Sequence, residues 1–409
     1  MSPRIRVASV YSYMCVGGDE NRLLQYLAAR DTARFEHLVV SCLAPTEASL
    51  TACGPIQGRF RELGVELVQL DVPADHEQRQ HAGSFSLAAI QGRAFARVLA
   101  QLTRLLRARR IDVVDARLNL GTVLGTLAGR AAGVGAVVST NYVLERFENP
   151  LWYPLGQATY AGVDALICDS RAYLDRMRAW MLRPPPGRCI PNGIHPPVAT
   201  RAAAAVRAEL GIPEDARVIA QIARVRRIKG QDLLLEAAPR VLAAVPEAFF
   251  VICGYSQLAE SYRQELDGIV AKHGIAERVR IFGYPGPIGD LWPLVEIHAH
   301  PTRLDSSPLA LMEGMSLGRP AVTTPIGGIP EIVVDGESGL LVPPEDPERL
   351  GAALIRLLRE PALAARLGSA ARARYEARHR PEVMARSHEA LFEEVLRAPR
   401  HARLPWRRS

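Results

Sequence analysis

The chain has 409 residues, of which 48% are hydrophobic and 23% are charged, so it holds enough apolar material for two or three globular domains. This composition excludes a disordered or fibrous protein. The formal net charge is +7, which an anionic substrate, an anionic membrane surface or simply solvated arginines can explain. The arginines are dispersed and only 6% of the residues are aromatic, which argues against nucleic acid as a partner.

The N-terminal residues lack the pattern of a signal peptide, and no apolar stretch approaches the ~20 residues that a transmembrane helix needs. The six cysteines include no Cys-x-x-Cys pair, which is typical of buried thiols in a reducing compartment. These features predict a cytoplasmic protein. A basic tail after Arg397 leaves open peripheral contact with the inner face of a membrane, against the alternative of a solvated tail.

Short β-branched runs alternate with longer helical patterns along the first half of the chain, which favours parallel sheets in an α/β domain. The predicted strands are 4–11, 36–43, 66–70, 112–115, 136–140 and 165–169. Predicted helices between them include 20–30 and 94–109. The proline-rich segment 183–187 and a turn at 191–193 interrupt this alternation and predict a domain boundary.

The second half repeats the alternation, with predicted strands at 218–225, 249–253, 279–282, 297–300, 321–323 and 340–342. A final helix is predicted from 381 to about 397. The predicted domains are therefore 1–185 and 196–380, followed by a C-terminal helix and basic tail at 381–409. In such sheets a ligand binds outside the carboxyl ends of the strands.

Lysine is rare in this chain, which has only Lys229 and Lys272 among its 50 basic residues. Arg224 lies at the end of the predicted strand 218–225, and Lys229 follows five residues later. A lysine in an arginine-rich chain suggests a need for a compact point charge. Two fixed cations at this edge could stabilise a departing diphosphate, while a solvated basic turn is the alternative.

Two acids, Asp305 and Glu313, flank a predicted helix start. Ser306 or Ser307 could cap this helix, and Pro308 suits its first turn. The free N–H groups of a helix start bind anions, so a phosphate could lie there. Glu313 could then accept ribose hydroxyls and Asp305 could face a sugar, although solvated surface acids would look the same.

Further motifs follow in a fixed order: Gly-Arg-Pro-Ala-Val at 318–322, Gly-Gly-Ile-Pro-Glu at 327–331 and Asp-Gly-Glu-Ser-Gly-Leu-Leu-Val-Pro-Pro at 335–344. Together with Arg224, Lys229 and the two acids, they resemble the retaining family 4 glycosyltransferases of the GT-B fold. Ile-Pro-Asn-Gly-Ile at 190–194 and Gly-Gly-Asp-Glu at 17–20 extend the resemblance. It is dense from 218 to 350 and weak from 45 to 110.

The resemblance implies two Rossmann-like domains facing across a cleft, with the C-terminal helix returning to the first. The first domain would bind the acceptor and the second the nucleotide sugar. The implied reaction is a retaining transfer of a sugar from a nucleoside diphosphate, taken as UDP, to an acceptor hydroxyl. It implies a hexosyltransferase-type enzyme that works without a metal or another cofactor.

The resemblance also assigns roles to single residues. The cations Arg224 and Lys229 would hold the diphosphate, Asp305 the donor sugar and Glu313 the ribose. The other implied donor contacts are the helix start at Ser306, Ser307, Pro308 and Leu309 for the phosphates, Gly17 and Gly18 from the first domain, and Tyr284 for the base.

Two departures from the family stand out. Asp305 occupies a position where the family usually has Glu, and residues 139–142 lack the His that often lies near the reacting carbon. Asn141 or Tyr142 could supply a polar group there, on the acceptor or sugar side. His298 and His300 lie on one face of a strand, where packing is a better interpretation than metal binding because no third ligand is evident.

Two other functions remain open on the sequence alone: a sugar-nucleotide 2-epimerase of the same fold, and a catalytically silent glycosyltransferase-like partner protein. The acceptor is equally open and could be a glycan, a lipid-linked sugar or a small metabolite.

Overall fold

The computed structural model describes residues 3–14, 18–43, 56–70, 92–141, 153–254, 260–284 and 286–398. The chain divides into two compact units, the first formed by 1–193 with 381–409 and the second by 194–380. Gly17, Tyr142 and the basic tail from 399 lie outside the described residues. No helix in the described part of the chain is both long and apolar enough to cross a membrane.

The first unit contains a parallel sheet of seven strands in the order β3-β2-β1-β4-β5-β6-β7. These strands are β1 Ile5–Tyr11, β2 Phe35–Ser41, β3 Glu66–Gln69, β4 Val113–Arg117, β5 Ala136–Thr140, β6 Ala165–Cys168 and β7 Gly187–Cys189. Its helices are α1 Gly18–Ala29, α2 Gln57–Glu62, α3 Gly92–Ala108, α4 Leu118–Ala132, α5 Tyr153–Ala161 and α6 Arg171–Trp180.

The second unit contains a parallel sheet of six strands in the order β10-β9-β8-β11-β12-β13. These strands are β8 Arg217–Ile222, β9 Ala248–Gly254, β10 Val279–Gly283, β11 Val295–His300, β12 Ala321–Thr323 and β13 Leu340–Leu341. Its helices are α7 Ala203–Glu209, α8 Gln231–Ala244, α9 Glu260–His273, α10 Leu309–Ser316, α11 Ile329–Ile332, α12 Pro347–Arg359 and α13 Pro361–Arg378.

The last helix, α14 (Pro381–Arg397), belongs to the first unit. Its Met384 and Phe392 are buried in one apolar cluster with Val7 of β1 and Leu23 of α1. Burial of such side chains is the main favourable term that fixes a helix on a sheet. The C-terminal helix therefore returns to the first unit, as the resemblance implied.

The predicted strands all form, with boundaries shifted by a few residues at most. Most of them form because their Val, Ile and Phe side chains are buried on both faces, as is usual in parallel sheets covered by helices; β9, for example, is buried at every position. One further strand, β7, was not predicted, because the proline-rich segment 183–187 was interpreted as a break. Hydrogen bonds from Leu166 N to Pro186 O and from Ile190 N to Cys168 O (2.8 and 2.9 Å) hold this short edge strand.

Candidate functional site

In the second unit the strand order reverses between β8 and β11. The chain runs from β8 outward through β9 and β10, then returns to β11 on the other side of β8. At such a reversal the loops after the two neighbouring strands diverge, and ligands of open α/β sheets bind in the resulting crevice. The loops after β8 and β11 carry Arg224, Lys229 and Asp305, so the structure brings these three predicted residues to one edge.

The conformation of the loop after β8 is fixed by a hydrogen bond to its backbone and by a glycine. Lys229 ends a short 3₁₀ turn, and the side chain of Gln221 donates a hydrogen bond to its carbonyl oxygen at 2.6 Å. Gly230 follows with a φ of 71°, and a Cβ there would come within 1.9 Å of the Pro301 carbonyl oxygen. Only glycine permits this close approach, which presses the turn against the loop after β11.

The loop after β11 completes this connection. The carbonyl oxygen of Ile228 accepts hydrogen bonds from Thr302 Oγ1 at 2.9 Å and from Arg303 N at 2.8 Å. The Arg303 guanidinium donates two bonds of 2.7 Å to Asp232 in the first turn of α8. These hydrogen bonds raise the pKa of Arg303, and a bidentate pair of this kind fixes geometry as well as charge.

Lys229 and Asp305 meet directly. The Lys229 ammonium donates to Asp305 Oδ2, and His300 Nε2 lies 3.1 Å from the same oxygen. The side chains of Lys229 and Asp305 are only 13% and 12% exposed. Burial alone would raise the pKa of Asp305, but the hydrogen bond from His300 and the charge of Lys229 lower it to about 2. Asp305 is therefore a carboxylate near neutral pH, and the charge of Lys229 is balanced by it.

Arg224 differs from Lys229 in having no such partner. Its side chain is exposed, and its guanidinium makes no hydrogen bond or ion pair with the residues that the structure describes. Its backbone is held, since Gln231 Nε2 donates to the Arg224 carbonyl oxygen at 3.1 Å. Arg224 thus offers an uncompensated cation at the same edge.

The helix after Asp305 starts later than predicted. Pro308 is the N-cap residue of α10, which begins at Leu309, and no side chain caps it. The expectation that Ser306 or Ser307 is the N-cap residue is wrong, because the N-cap position falls on Pro308, whose side chain has no hydrogen-bonding group. The contact of a phosphate with this helix start does not depend on which residue is the N-cap, and it stays a prediction.

Gly327, the first of the paired glycines at 327–328, allows two backbone segments of the site to pack closely. Gly327 has a φ of 58°, and a Cβ there would lie 1.9 Å from the Asp305 carbonyl oxygen. Gly327 is therefore required for close packing against the segment that carries Asp305.

Glu313 lies in α10 beside the fully buried Trp292, whose Nε1 donates to Glu313 Oε2 at 3.1 Å. Burial raises the pKa of Glu313 to about 7, and the bond from Trp292 lowers it only in part. One carboxyl oxygen is thus oriented by the protein, and the group is poised between its neutral and ionised forms at neutral pH. The contact with Trp292, which precedes Glu313 by 21 residues, was not predicted from the sequence.

Tyr284 lies at the end of β10, but its side chain is 8% exposed and packs in the apolar core of this unit. Its hydroxyl accepts from Arg201 Nη1 and donates to Asp290 Oδ2, both at 3.3 Å. The ring therefore lies in the interior of the unit, and the predicted contact of Tyr284 with a base stays a prediction.

In the first unit, Gly18 begins α1 and is exposed, whereas Asn141 is fully buried. Asn141 Nδ2 donates to the Tyr160 hydroxyl at 2.8 Å, which places its amide in the interior of the unit. The predicted roles of Gly17, Gly18, Asn141 and Tyr142 stay predictions.

The first unit also has a charged cluster that the sequence did not reveal. Arg117, at the carboxyl end of β4, donates to Asp19 at 2.7 and 3.0 Å and to Asp115 at 2.7 Å. Burial tends to raise the pKa of Asp19, but Arg117 lowers it overall. Leu118, the next residue, has a φ of 56°, which is strained for leucine. The sequence signal was limited to charged residues at the end of an apolar run, since the reversal between β1 and β4 is visible only in the fold.

Comparison with known families agrees with this arrangement. The family described as glycosyl transferase 4-like domain matches residues 17–193, and the family described as glycosyl transferases group 1 matches residues 203–374. The chain therefore carries a glycosyl transferase 4-like domain followed by a glycosyl transferases group 1 domain. The predicted family is confirmed, and the two matches fall in the two compact units.

Curated relatives include D-inositol 3-phosphate glycosyltransferases. The protein of Corynebacterium urealyticum is 33% identical over 201 residues, which are 48% of this chain and 47% of that protein. The protein of Acidothermus cellulolyticus is 28% identical over 280 residues, which are 63% and 61% of the two chains. The chain thus matches less than two thirds of the length of these relatives.

Solved structures share the fold over nearly the whole chain. Anabaena HepE in complex with UDP and glucose has a TM-score of 0.75 at 18% identity, covering 96% of this chain and 100% of its own. Sucrose-phosphate synthase of Thermosynechococcus elongatus has a TM-score of 0.74 at 19% identity, covering 97% and 100%. The predicted α/β class and GT-B fold are confirmed.

Proposed function

We propose that this protein is a retaining glycosyltransferase that moves a sugar from a UDP-sugar to an acceptor hydroxyl. The observation that carries the proposal is the grouping of Arg224, Lys229 and Asp305 at one reversal of strand order in the second unit. Two cations and a carboxylate there match the charges of a diphosphate and the hydroxyls of a sugar. Glu313, with one oxygen held by Trp292, has a second oxygen for the ribose.

The proposed chemistry follows from charge. The bond between the sugar C1 and the β-phosphate oxygen breaks, and a bond from C1 to the acceptor oxygen forms on the same face. The proton of the acceptor hydroxyl goes to the leaving phosphate oxygen. Arg224 and Lys229 neutralise the diphosphate as its charge develops, and the start of α10 adds its backbone N–H groups.

Fixed cations can take the place of a divalent metal at a leaving diphosphate, so the proposed enzyme works without a metal. This proposal rests on Arg224, whose charge is uncompensated among the described residues, and on Lys229, whose charge becomes available once Asp305 bonds to the sugar.

A donor screen tests the proposal. The protein is incubated with UDP-, GDP- and ADP-sugars and a panel of acceptors, and products are identified by mass spectrometry and by the anomeric configuration in NMR spectra. The names of the curated relatives make D-inositol 3-phosphate the first acceptor to include. Release of UDP with an α-linked product from an α-linked donor is the expected result.

Other outcomes of the screen decide against the proposal. Interconversion of the donor sugar at C2 without transfer would indicate an epimerase. Binding of UDP-sugar without any turnover across the acceptor panel would indicate a silent partner protein. An inverted product would refute the retaining mechanism alone.

A further inference from the structure

His300 is the last residue of β11, and only 1% of its side chain is exposed. Its Nε2 lies 3.1 Å from Asp305 Oδ2, the oxygen that also accepts from Lys229. Burial lowers the pKa of His300 despite the opposing effect of Asp305, so the neutral ring with its proton on Nε2 donates this bond. The Asp305 carboxylate is thus held by two donors of different kinds.

In the proposed reaction, only one of these two donors can stay bonded to Asp305 throughout. Lys229 has to direct its charge to the diphosphate as the leaving group departs, which weakens its bond to Asp305. Loss of a hydrogen-bond donor from a largely buried carboxylate costs free energy, and the carboxylate then tends to move or to take up a proton. The donor that can remain in place is His300, which is on a strand and carries no charge needed elsewhere.

We propose that His300 is a positioning residue that keeps the Asp305 carboxylate fixed while Lys229 binds the diphosphate. This inference rests on the proposed function, and it assigns to His300 a part in turnover rather than in nucleotide affinity.

His298 supplies the matched comparison within the same strand. It lies two residues earlier on the same face and is fully buried, but neither ring nitrogen has a hydrogen-bond partner in the described part of the chain. Its ring packs edge-on against Trp292 with centroids 5.2 Å apart. A comparison of the two histidines therefore distinguishes the effect of burying a histidine in β11 from the effect of its hydrogen bond to Asp305.

The experiment compares His300→Leu, His300→Gln and the control His298→Leu in the full chain. The kcat and the KM for the donor are measured for each, together with the Kd of UDP by calorimetry. We expect His300→Leu to lower kcat by about 10- to 100-fold, the range for losing one bond to a charged group, with the Kd of UDP changed less than about twofold. His300→Gln, which keeps an N–H donor, should recover most of the kcat, and His298→Leu should stay near wild type.

A double variant asks whether His300 acts through Asp305. In the Asp305→Ala background, His300→Leu should lower kcat by less than about twofold, because the group that it positions is gone. Equal losses in both backgrounds would overturn the inference, as would a wild-type kcat in His300→Leu. If His300→Leu does not fold, the inference is overturned by a His300→Gln variant whose kcat is as low as that of Asp305→Ala while its Kd for UDP is unchanged. Absence of turnover in the wild-type protein would refute the proposed function and this role with it.

Discussion

Replacing Glu313 by glutamine is expected to remove a pH dependence from nucleotide binding. Burial raises the pKa of Glu313 to about 7, and ribose hydroxyls donate to a carboxylate better than to a neutral acid. The ionised fraction before binding is then about 9% at pH 6 and about 91% at pH 8. If the ionised form alone binds ribose, the Kd of UDP falls about tenfold over this range, or ~1.4 kcal/mol.

The sign follows from the direction of the shift. A raised pKa means that the proton must leave before the ribose can bind, so binding weakens as pH falls below about 7 and releases a proton there. Glutamine at this position has no proton to lose. At pH 8 the variant should bind UDP and the intact donor more weakly by equal factors, since a ribose contact is made to both.

Calorimetry at pH 6, 7 and 8 in two buffers of different ionisation enthalpy measures both the Kd and the protons released. The terminal phosphate of UDP also titrates, with a pKa of about 6, but it does so equally with both proteins. The difference between wild type and Glu313→Gln therefore isolates the carboxyl group. Parallel pH profiles for the two proteins would refute the reasoning, because Glu313 would then not change its ionisation on binding.

Three further predictions concern the remaining residues of the proposed site. Arg224→Ala and Lys229→Ala should each lower kcat by about 10²- to 10³-fold, which is the usual loss for one fixed donor at a developing negative charge. Arg226→Ala, at a neighbouring exposed arginine, serves as the control. If the first two variants had the kcat of Arg226→Ala, the assignment would be contradicted. Asp305→Ala should weaken binding of the intact donor more than binding of UDP in calorimetry, and equal losses would remove Asp305 from the sugar subsite. Turnover should persist in excess EDTA after dialysis, whereas a complete loss that Mg²⁺ or Mn²⁺ restores would refute metal-independent transfer.

Much of the fold was predictable because its signals are local. The strands are short runs rich in β-branched and aromatic residues, most of them buried on both faces, and prolines and glycines mark the turns between them. Where the local signal was weak, the prediction failed. The segment Gly187–Cys189 is three residues long and follows three prolines, and it forms a strand only because β6 offers backbone partners.

The site was predictable as a set of residues but not as a set of contacts. Lys229 and Asp305 were assigned separately, one to the diphosphate and one to the sugar. That they bond to each other depends on the pairing of β8 with β11, which joins residues 76 positions apart in the chain. His300 was interpreted as a packing residue because a sequence does not say which atom of a buried ring meets a carboxylate.

The two units put opposite charges at the same place in their sheets, but with different consequences. At the reversal between β1 and β4, Arg117 bonds to both Asp19 and Asp115, and its side chain is 2% exposed. Releasing Arg117 would leave two buried carboxylates without their cation, so this cluster is suited to fixing the loops after β1 and β4. At the reversal between β8 and β11, Lys229 has one carboxylate partner among the described residues, Asp305, which His300 also contacts. Of the two arrangements, the second leaves the carboxylate with a donor when its cation moves to a ligand, which supports the proposal that the diphosphate binds to the second unit.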